Sequence, residues 1–378
     1  MIRLRTALAP RMLPSGYRMP RLFPCVVILC CLATRVPVIG QPSSHSGSTY
    51  FAAFRDAIHD SRNSNGGHAR TPGADQVLTE HEEQCADPSV EVSLRIDACT
   101  ALIQSGKSST EDLATAYLDR GNAYQDKSEY DRAIQDYCKA IHLKPQFELA
   151  IYDRANAYGS KGEYDHAIAD YDQVIELAPE GDHVYFAYYG RGYAFSAKGE
   201  YDHAIKDYDQ AIRLNPDSAN AFIVRGIANF LGANPALAVI DLRRSSELNP
   251  KIAYSLLWLH LARARLGEGD SKELVKRSAK ADLSRWPGPV LELYLGRITT
   301  DQMMAAAADP DLDVEKQKLC EADFFAGEDA LLHLHYSAAR LLLEKAVDSC
   351  PLKNLHHGAA AAELKRLNVT AKSAKPNS

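Results

Sequence analysis

Small and large apolar residues recur between residues 114 and 252 with a period of about 34 positions. Counted from the start of each repeat, positions 8 and 20 are small and position 24 is large. The small residues are Gly121, Ala155, Gly192 and Gly226, with Ala133, Ala167, Ala204 and Ala238. The large ones are Tyr137, Tyr171, Tyr208 and Leu242. Because two helices approach closely only where side chains are small, each repeat is predicted to be an antiparallel helical hairpin.

A proline closes each repeat and sets its boundary. The four prolines are Pro145, Pro179, Pro216 and Pro250, at intervals of 34, 37 and 34 residues. Proline cannot continue a helix, so each one marks the end of a second helix. The predicted units are 114–147, 148–181, 185–218 and 219–252.

The repeat weakens on both sides of these four units. A divergent hairpin and connecting helices are predicted over 253–310, and a degenerate sixth unit with a last helix over 311–370. Before the repeats, 85–113 is predicted to contain one capping helix. The ends of a helical stack need such caps because they would otherwise expose an apolar face.

This spacing resembles the tetratricopeptide repeat (TPR) family over four full units. The resemblance implies an all-α fold, a right-handed superhelix of about six helical hairpins with capping helices. It also implies a concave groove, formed by the first helices, that binds a protein or peptide partner. Matching the groove positions of that family gives the predicted contact residues Leu118, Asn122, Tyr152, Asn156, Phe186, Tyr189, Tyr193 and Ile223.

Arginine and aspartate appear and disappear together along the repeats. Position 7 is arginine and position 23 is aspartate in units one to four, whereas units five and six have apolar residues at both places. The predicted structural ion pairs are Arg120 with Asp136, Arg154 with Asp170, Arg191 with Asp207 and Arg225 with Asp241. We expect each pair to meet between the two helices of a hairpin or between neighbouring hairpins.

Residues 1–40 have the pattern of a secretory signal. A basic stretch precedes a 13-residue apolar run, Leu22 to Thr34, and small or aliphatic residues suited to cleavage precede Gln41. The run is too short to span a bilayer comfortably, although an uncleaved membrane anchor is the alternative. Residues 41–84 are rich in serine, glycine, histidine and aspartate and are predicted to be a disordered linker.

Charge argues against two classes of partner. The formal net charge is −6, and the first forty residues hold six arginines and no carboxylate, so the rest of the chain carries −12. Binding to a phosphate backbone or to anionic lipid depends on lysine and arginine. We therefore expect no nucleic-acid partner and, after cleavage, no membrane span.

Five cysteines follow the predicted signal. Cys320 and Cys350 stand at the start and the end of the sixth hairpin, which places them side by side and predicts a disulfide. Cys85 and Cys99 flank the start of the N-terminal helix and form a second candidate pair. Cys138 would then be the odd thiol, although the sequence does not fix its pairing with respect to Cys85 and Cys99.

No catalytic constellation is present in the sequence. It lacks metalloprotease, phosphate-loop, nucleophile-elbow and Cys-x-x-Cys motifs after the signal. The carboxylates recur at the same repeat positions, as a structural repeat requires. We predict no catalytic residues, no metal, no cofactor and no enzymatic activity.

The C-terminal part resembles a periplasmic TPR adaptor, new lipoprotein I. The resemblance rests on Trp286-Pro287-Gly288, Leu293-Tyr294-Leu295-Gly296, Asp301-Gln302-Met303-Met304 and Phe324-Phe325-Ala326-Gly327. It implies a periplasmic adaptor for cell-envelope hydrolases or a protease, and a homodimer. The lipid-attachment motif of that family is missing. The leading hypothesis is an exported binding scaffold, and the alternatives are a structural envelope protein and a hydrolase regulator with its own activity.

Overall fold

The computed structural model describes residues 74–181, 183–269, 271–350 and 355–373. The predicted signal, 1–40, and most of the predicted linker lie outside these residues. Every regular element within the described ranges is a helix. Consecutive helices pair into hairpins, which confirms the predicted all-α fold class.

The helices fall into three groups along the chain. The N-terminal pair is α1 (Ala74–Ala86) and α2 (Val92–Ser105). The regular hairpins are α3 (Thr110–Asp126) with α4 (Tyr130–Leu143), α5 (Glu148–Lys161) with α6 (Tyr164–Leu177), α7 (Val184–Ala197) with α8 (Tyr201–Leu214), and α9 (Ala219–Leu231) with α10 (Pro235–Leu248). The C-terminal helices are α11 (Ala253–Arg265), α12 (Ser271–Ser278), α13 (Gly288–Tyr294), α14 (Thr300–Ala305), α15 (Leu312–Leu332), α16 (Tyr336–Ser349) and α17 (Leu355–Ser373).

The hairpins stack in chain order. In the regular part, each second helix packs against both its own first helix and the first helix of the next hairpin. First helices of successive hairpins also touch one another, as α3 touches α5 and α5 touches α7. The first helices therefore form one continuous layer, and that layer carries the predicted groove positions.

Close helix contact depends on the small residue at position 8. A β-carbon added to Gly121 would lie 2.6 Å from the ring of Tyr137, and one added to Gly192 would lie 2.7 Å from the ring of Tyr208. The fourth hairpin is the same, with Leu242 2.7 Å from the place of a β-carbon on Gly226. The large residue at position 24 therefore fills the space that the missing side chain leaves.

The second hairpin solves the same problem differently. Its position 8 is Ala155, and Tyr171 places its ring against the next hairpin, where a β-carbon on Gly190 would lie 2.5 Å away. The glycine that accommodates Tyr171 thus stands at position 6 of the following unit. This contact is not recognisable from the sequence pattern, because the repeated small residue stands at position 8 and Gly190 does not.

The N-terminal end holds a complete hairpin where a single capping helix was predicted. Helix α1 covers the last part of the predicted 41–84 linker, so residues 74–84 are helical. Helix α3 also begins earlier than the predicted unit, at Thr110, because Ser109 and Asp112 form a reciprocal capping box. The predicted cap of 85–113 therefore contains the end of α1, all of α2 and the start of α3.

The C-terminal region shares one large apolar core. Buried residues from all nine helices α9 to α17 belong to a single cluster that runs from Ile223 to Leu367. Trp258 lies in this cluster with no exposed surface and has ring contacts with Phe230, Phe324 and Phe325. The last helix, α17, packs against α15 and α16 and also reaches α7.

Candidate functional site

The predicted arginines and aspartates meet within each regular hairpin. Arg154 donates from Nε and Nη2 to the two carboxylate oxygens of Asp170, at 2.8 Å each. Arg120 contacts Asp136 in the same two-pronged way, at 2.7 and 2.9 Å. The third and fourth hairpins repeat the arrangement in Arg191 with Asp207 and Arg225 with Asp241. Every predicted ion pair is thus brought together as a planar, bidentate contact.

The remaining guanidinium nitrogen of each arginine reaches the preceding hairpin. Nη1 of Arg191 donates to Asp172 at 2.5 Å, and Nη1 of Arg225 donates to Asp209 at 2.6 Å. The equivalent acceptors are Thr100 for Arg120 and Cys138 for Arg154. One arginine therefore ties its own two helices together and fastens them to the hairpin before. Three of these acceptors, Cys138, Asp172 and Asp209, stand at position 25 of their repeats. The residue type at that position varies, so the sequence pattern does not predict the contact.

Burial opposes the charge of these carboxylates. It raises the pKa of Asp170 and of Asp207, while the neighbouring Arg154 and Arg191 act in the opposite direction. The Asp170 side chain is 10% exposed and that of Arg154 is 12% exposed. Removing either partner would leave the other charge with little solvent, so these pairs serve the architecture and are poorly placed to bind a ligand.

The two asparagines predicted for the groove are used inside the protein. Asn122 Oδ1 accepts a hydrogen bond from the Tyr137 hydroxyl at 2.7 Å, and Asn156 Oδ1 accepts one from the Tyr171 hydroxyl at 2.6 Å. Both asparagines are buried. They therefore orient the tyrosines of their own hairpins.

Three further predicted contact residues are also buried. Leu118 packs in the core between the first and second regular hairpins, and Ile223 belongs to the large C-terminal core. Tyr152 lies against Tyr171, with ring centroids 6.0 Å apart. Burial of Leu118, Asn122, Tyr152, Asn156 and Ile223 corrects the expectation that these side chains line an open surface. These five side chains are therefore part of the packing between helices.

The third hairpin carries the exposed part of the predicted groove. Phe186, Tyr189 and Tyr193 on α7 are each partly exposed. The ring of Tyr185 packs against two of them, with its centroid 5.0 Å from that of Phe186 and 6.2 Å from that of Tyr189. Tyr189 also contacts Tyr208 at 6.0 Å. The structure therefore brings together an aromatic surface on a rigid support; its role in binding stays a prediction.

Polar groups of the C-terminal region meet close to this aromatic surface. Glu321 on α15 is buried, and it accepts hydrogen bonds from the Tyr254 hydroxyl and from Trp286 Nε1, the latter at 2.8 Å. Its charge and burial both raise the pKa of Tyr193, burial being the larger cause. The sequence analysis did not identify Glu321, because its partners lie in other elements far away in sequence.

Both predicted disulfides are formed. Cys85 on α1 joins Cys99 on α2, and Cys320 on α15 joins Cys350 directly after α16. Each bridge therefore links the two helices of one hairpin. Cys85 and Cys99 were expected to flank the start of a single helix, but they lie on two helices. Cys138 belongs to neither bridge; its sulfur accepts a hydrogen bond from Arg154 Nη1 at 3.2 Å.

The part of the chain that the structure describes contains neither a candidate metal site nor a candidate membrane span. No group of three or more histidine, cysteine, aspartate or glutamate side chains there has the geometry to hold a metal ion. Within the same residues, no helix combines the length and the apolar character needed to cross a bilayer.

Comparison with known proteins identifies the repeats. A family model for the tetratricopeptide repeat matches residues 149–180 and 185–218, and a TPR repeat model matches 121–162. These residues are TPR repeats, and they lie within an all-α stack of helical hairpins. The matched ranges contain the complete arginine–aspartate pairs of the second and third regular hairpins.

Solved structures of TPR proteins are similar to part of the chain. The crystal structure of YrrB, described as a TPR protein with an unusual peptide-binding site, is 20% identical over 54% of this chain and 100% of its own, with a TM-score of 0.43. MamA from Desulfovibrio magneticus is 19% identical over 47% and 97%, with a TM-score of 0.42. A TPR protein from Parabacteroides merdae is 15% identical over 68% and 98%, with a TM-score of 0.45.

Proposed function

We propose that this chain is an exported, non-catalytic scaffold that binds a protein or peptide partner on the first-helix layer of its hairpins. The observation that carries the proposal is the aromatic surface of α7. Phe186, Tyr189 and Tyr193 are partly exposed on one helix and supported by rings packed behind them. Rigid aromatic side chains of this kind dominate the energy of many protein interfaces.

The buried residues of the first two regular hairpins support the same proposal in another way. Asn122 and Asn156 hold Tyr137 and Tyr171 in fixed orientations, and the arginine–aspartate pairs fasten each hairpin to the one before. A partner would therefore meet a layer that needs little rearrangement. Such preorganisation lowers the entropic cost of association.

Export to the periplasm is part of the proposal. Residues 1–40 have the signal pattern. The two disulfides, each of which joins the two helices of one hairpin, suit an oxidising compartment. The C-terminal resemblance to new lipoprotein I makes cell-envelope hydrolases or proteases the first partner class to test, and a homodimer the first assembly. N-terminal sequencing of the protein from an envelope fraction should begin at Gln41; an intact N-terminus in the membrane pellet would favour the signal-anchored alternative.

Partner capture with matched variants tests the binding site. Wild-type protein and a Phe186→Ala, Tyr189→Ala variant are used to capture partners from envelope extract, and the affinity of each captured partner is then measured with purified proteins. We expect the variant to bind at least about tenfold more weakly, because aromatic anchors at the centre of an interface each contribute roughly 2 kcal/mol or more. Melting curves establish that the variant remains folded.

The control replaces apolar side chains on a different surface. Leu237 and Ile240 on α10 are 52% and 64% exposed, so a Leu237→Ala, Ile240→Ala variant removes similar apolar area from a second helix. It should bind like wild type. Equal binding by the α7 variant and wild type would refute the proposed site.

The same experiment separates the alternative functions. A stable partner together with no turnover by the pure protein supports the scaffold. Turnover of an envelope polymer or peptide by the pure protein would instead support a hydrolase regulator with its own activity. A folded protein that captures nothing from any fraction would favour a structural envelope role.

A further inference from the structure

One buried carboxylate of the C-terminal region has only neutral hydrogen-bond donors. Glu321 on α15 is 4% exposed, and its Oε2 accepts hydrogen bonds from the Tyr254 hydroxyl and from Trp286 Nε1. Its Oε1 has Gln317 Nε2 at 3.4 Å and His356 Nδ1 at 4.0 Å. Among the described residues, no lysine or arginine nitrogen lies within 4.0 Å of either oxygen. No neighbouring lysine or arginine therefore balances a negative charge on Glu321.

The nearby histidine does not supply that cation. His356 lies on α17 against the rings of Trp258, Phe324 and Phe325, with centroids 6.0, 5.3 and 5.3 Å away. Burial lowers the pKa of His356 from its ordinary value of 6.5, and the smaller attraction of Glu321 acts in the opposite direction. The imidazole is therefore neutral at neutral pH. A buried carboxylate without a cationic partner is costly, so this site gains from a cation supplied by a ligand.

Glu321 stands at a groove position of its repeat. It is position 2 of the sixth unit, the same position as Tyr254 in the fifth unit and Phe186 in the third. Its charge also acts on Tyr193, the last aromatic residue of the α7 surface, since it contributes to the raised pKa of Tyr193. The side chains of Tyr193, Tyr254 and Trp286 are partly exposed. A ligand on the α7 surface would therefore meet the rings that lie next to this carboxylate.

This combination of groups favours a cationic ligand. A carboxylate attracts an ammonium or guanidinium group through its charge, and the faces of neighbouring aromatic rings add to that attraction. The 3.4 Å contact from Gln317 is long for a hydrogen bond, and Gln317 is partly exposed, so a charged donor can replace it at Oε1 with little loss. The chain after the predicted signal carries a net charge of −12, which attracts a basic partner from a distance.

We propose that Glu321 binds a lysine or arginine side chain of the peptide that lies on the α7 surface. The proposal rests on the proposed function and adds the chemistry of the partner, which is a basic residue close to an apolar one. Phe186, Tyr189 and Tyr193 lie along about 10 Å of helix, at about 1.5 Å per residue. An extended peptide covers about 3.3 Å per residue, so its basic residue should stand about three positions from the apolar residue that contacts Phe186.

Selection from a library of random peptides tests the proposal on the purified full chain. Peptides displayed on phage are selected on the wild type and on Glu321→Gln, which keeps the shape of the side chain and removes its charge. We expect the wild type to enrich peptides with a lysine or arginine about three positions from an aromatic or aliphatic residue. Glu321→Gln should lose the enrichment of basic residues and keep that of apolar ones.

Affinities of a selected peptide measure the size of the effect. Its basic residue is replaced by norleucine, which has a similar length and no charge. The wild type should bind the norleucine peptide at least about tenfold more weakly, because the buried carboxylate is then left without its cation. Glu321→Gln should bind the two peptides within about threefold of each other, since it has no charge to leave unpaired.

Two matched variants separate this site from general effects. Glu344 on α16 has a side chain 52% exposed, 3.9 Å from Arg340, so Glu344→Gln removes one acidic charge from a different surface. It should distinguish the two peptides as the wild type does. The Phe186→Ala, Tyr189→Ala variant should bind both peptides more weakly than the wild type, and this tests the α7 surface independently of Glu321.

Three results would overturn the proposal. Selected peptides that need Phe186 and Tyr189 but show no enrichment of basic residues would leave the α7 surface intact and limit Glu321 to a structural role. An equal loss of affinity on norleucine replacement in the wild type and in Glu321→Gln would assign the basic residue to another site. A wild type that enriches no peptide would contradict the α7 surface and this proposal with it. If Glu321→Gln does not fold, equal affinity of the wild type for the two peptides is sufficient to reject the proposal.

Discussion

The regular hairpins and the C-terminal region are held together by contacts of different range. In the first three regular hairpins, between Thr110 and Leu214, buried side chains form small clusters that each involve neighbouring hairpins, and the arginine–aspartate pairs span 16 positions in sequence. From α9 onward, one cluster joins nine helices, and ion pairs such as Arg265 with Glu328 span 63 positions. The first region is stabilised by repeated contacts between neighbouring hairpins, whereas the second is stabilised by one core that many helices share.

This difference follows from what the repeat positions contain. In the first three hairpins, where position 7 is arginine and position 23 is aspartate, each hairpin packs mainly against its neighbours, as in other repeat proteins. Where those positions become apolar, at Leu259 and Leu342 for example, the helices need partners outside the hairpin. Both residues lie in or against the large C-terminal core. Long-range packing thus begins in the fourth hairpin, which still has its ion pair, and continues through the units that lack the pair.

The largest expected effect is on the centre of the C-terminal core. Trp258 is fully buried and contacts rings from α9 and α15. We expect Trp258→Ala to lower the free energy of unfolding by about 3–5 kcal/mol, because it leaves a large cavity. Hydrogen exchange should show loss of protection across 253–349 at once, as expected of a single cooperative unit.

The matched change in the regular hairpins should act locally. Tyr208 is also buried, but its contacts belong to the third hairpin and its neighbour. Tyr208→Ala should therefore weaken protection around 184–231 and leave that of the C-terminal helices almost unchanged. If both substitutions spread equally far, the division into a local and a long-range region would not hold.

A double-mutant cycle at Arg154 and Asp170 tests the second feature of the comparison. Each single change to alanine should cost about 3 kcal/mol, because it leaves a buried charge without its bidentate partner. The double variant should cost clearly less than the sum of the two. Urea unfolding of the four proteins measures the coupling free energy.

The exposed repeat pairs provide the control for this cycle. Lys161 contacts Asp131 at 2.7 Å, but Asp131 is 77% exposed. Its coupling free energy should lie below about 1 kcal/mol. A coupling at Arg154 and Asp170 as small as that at Lys161 and Asp131 would show that the bidentate pairs do not fasten the hairpins.

The sequence predicts the regular region well because its contacts are close in sequence and repeated. A small residue at position 8 with a large one at position 24, or an arginine 16 positions before an aspartate, is visible four times at constant spacing. The structure places Gly121 against Tyr137 and Arg120 against Asp136 as that spacing requires. The Cys320–Cys350 bridge was predictable for the same reason, since its two residues lie at the open end of one hairpin.

Contacts that occur only once were not predictable. The family pattern assigned Asn122 and Asn156 to the groove, but it contained no information that the tyrosines of the same hairpins would occupy their side chains. The cluster of Arg265, Glu328 and Glu363 combines three helices that no repeat relates. Helix α1 was missed because the composition of its first residues resembles that of the linker before it.

The smallest expected effect compares the position-8 glycine in the two regions. In the regular part, a β-carbon on Gly121 would meet the buried ring of Tyr137, which is fixed by its hydrogen bond to Asn122. Gly121→Ala should cost about 1–3 kcal/mol, because the ring cannot withdraw. In the C-terminal region, a β-carbon added to Gly327 would lie 2.9 Å from the side chain of Leu343. Leucine can change rotamer, and alanine favours the helix by about 0.5–1 kcal/mol, so Gly327→Ala should be close to neutral.

A third glycine calibrates this comparison. Gly159 on α5 has open space where a β-carbon would be placed, so Gly159→Ala should stabilise the protein by up to about 1 kcal/mol through helix propensity alone. Subtracting this gain from the other two substitutions leaves the steric cost at each helix contact. A larger steric cost at Gly327 than at Gly121 would mean that the C-terminal hairpin is the more rigid one. The contact between the position-8 glycine and the position-24 ring would then not distinguish the regular hairpins. Their packing against nearest neighbours would have to depend on the arginine–aspartate pairs alone.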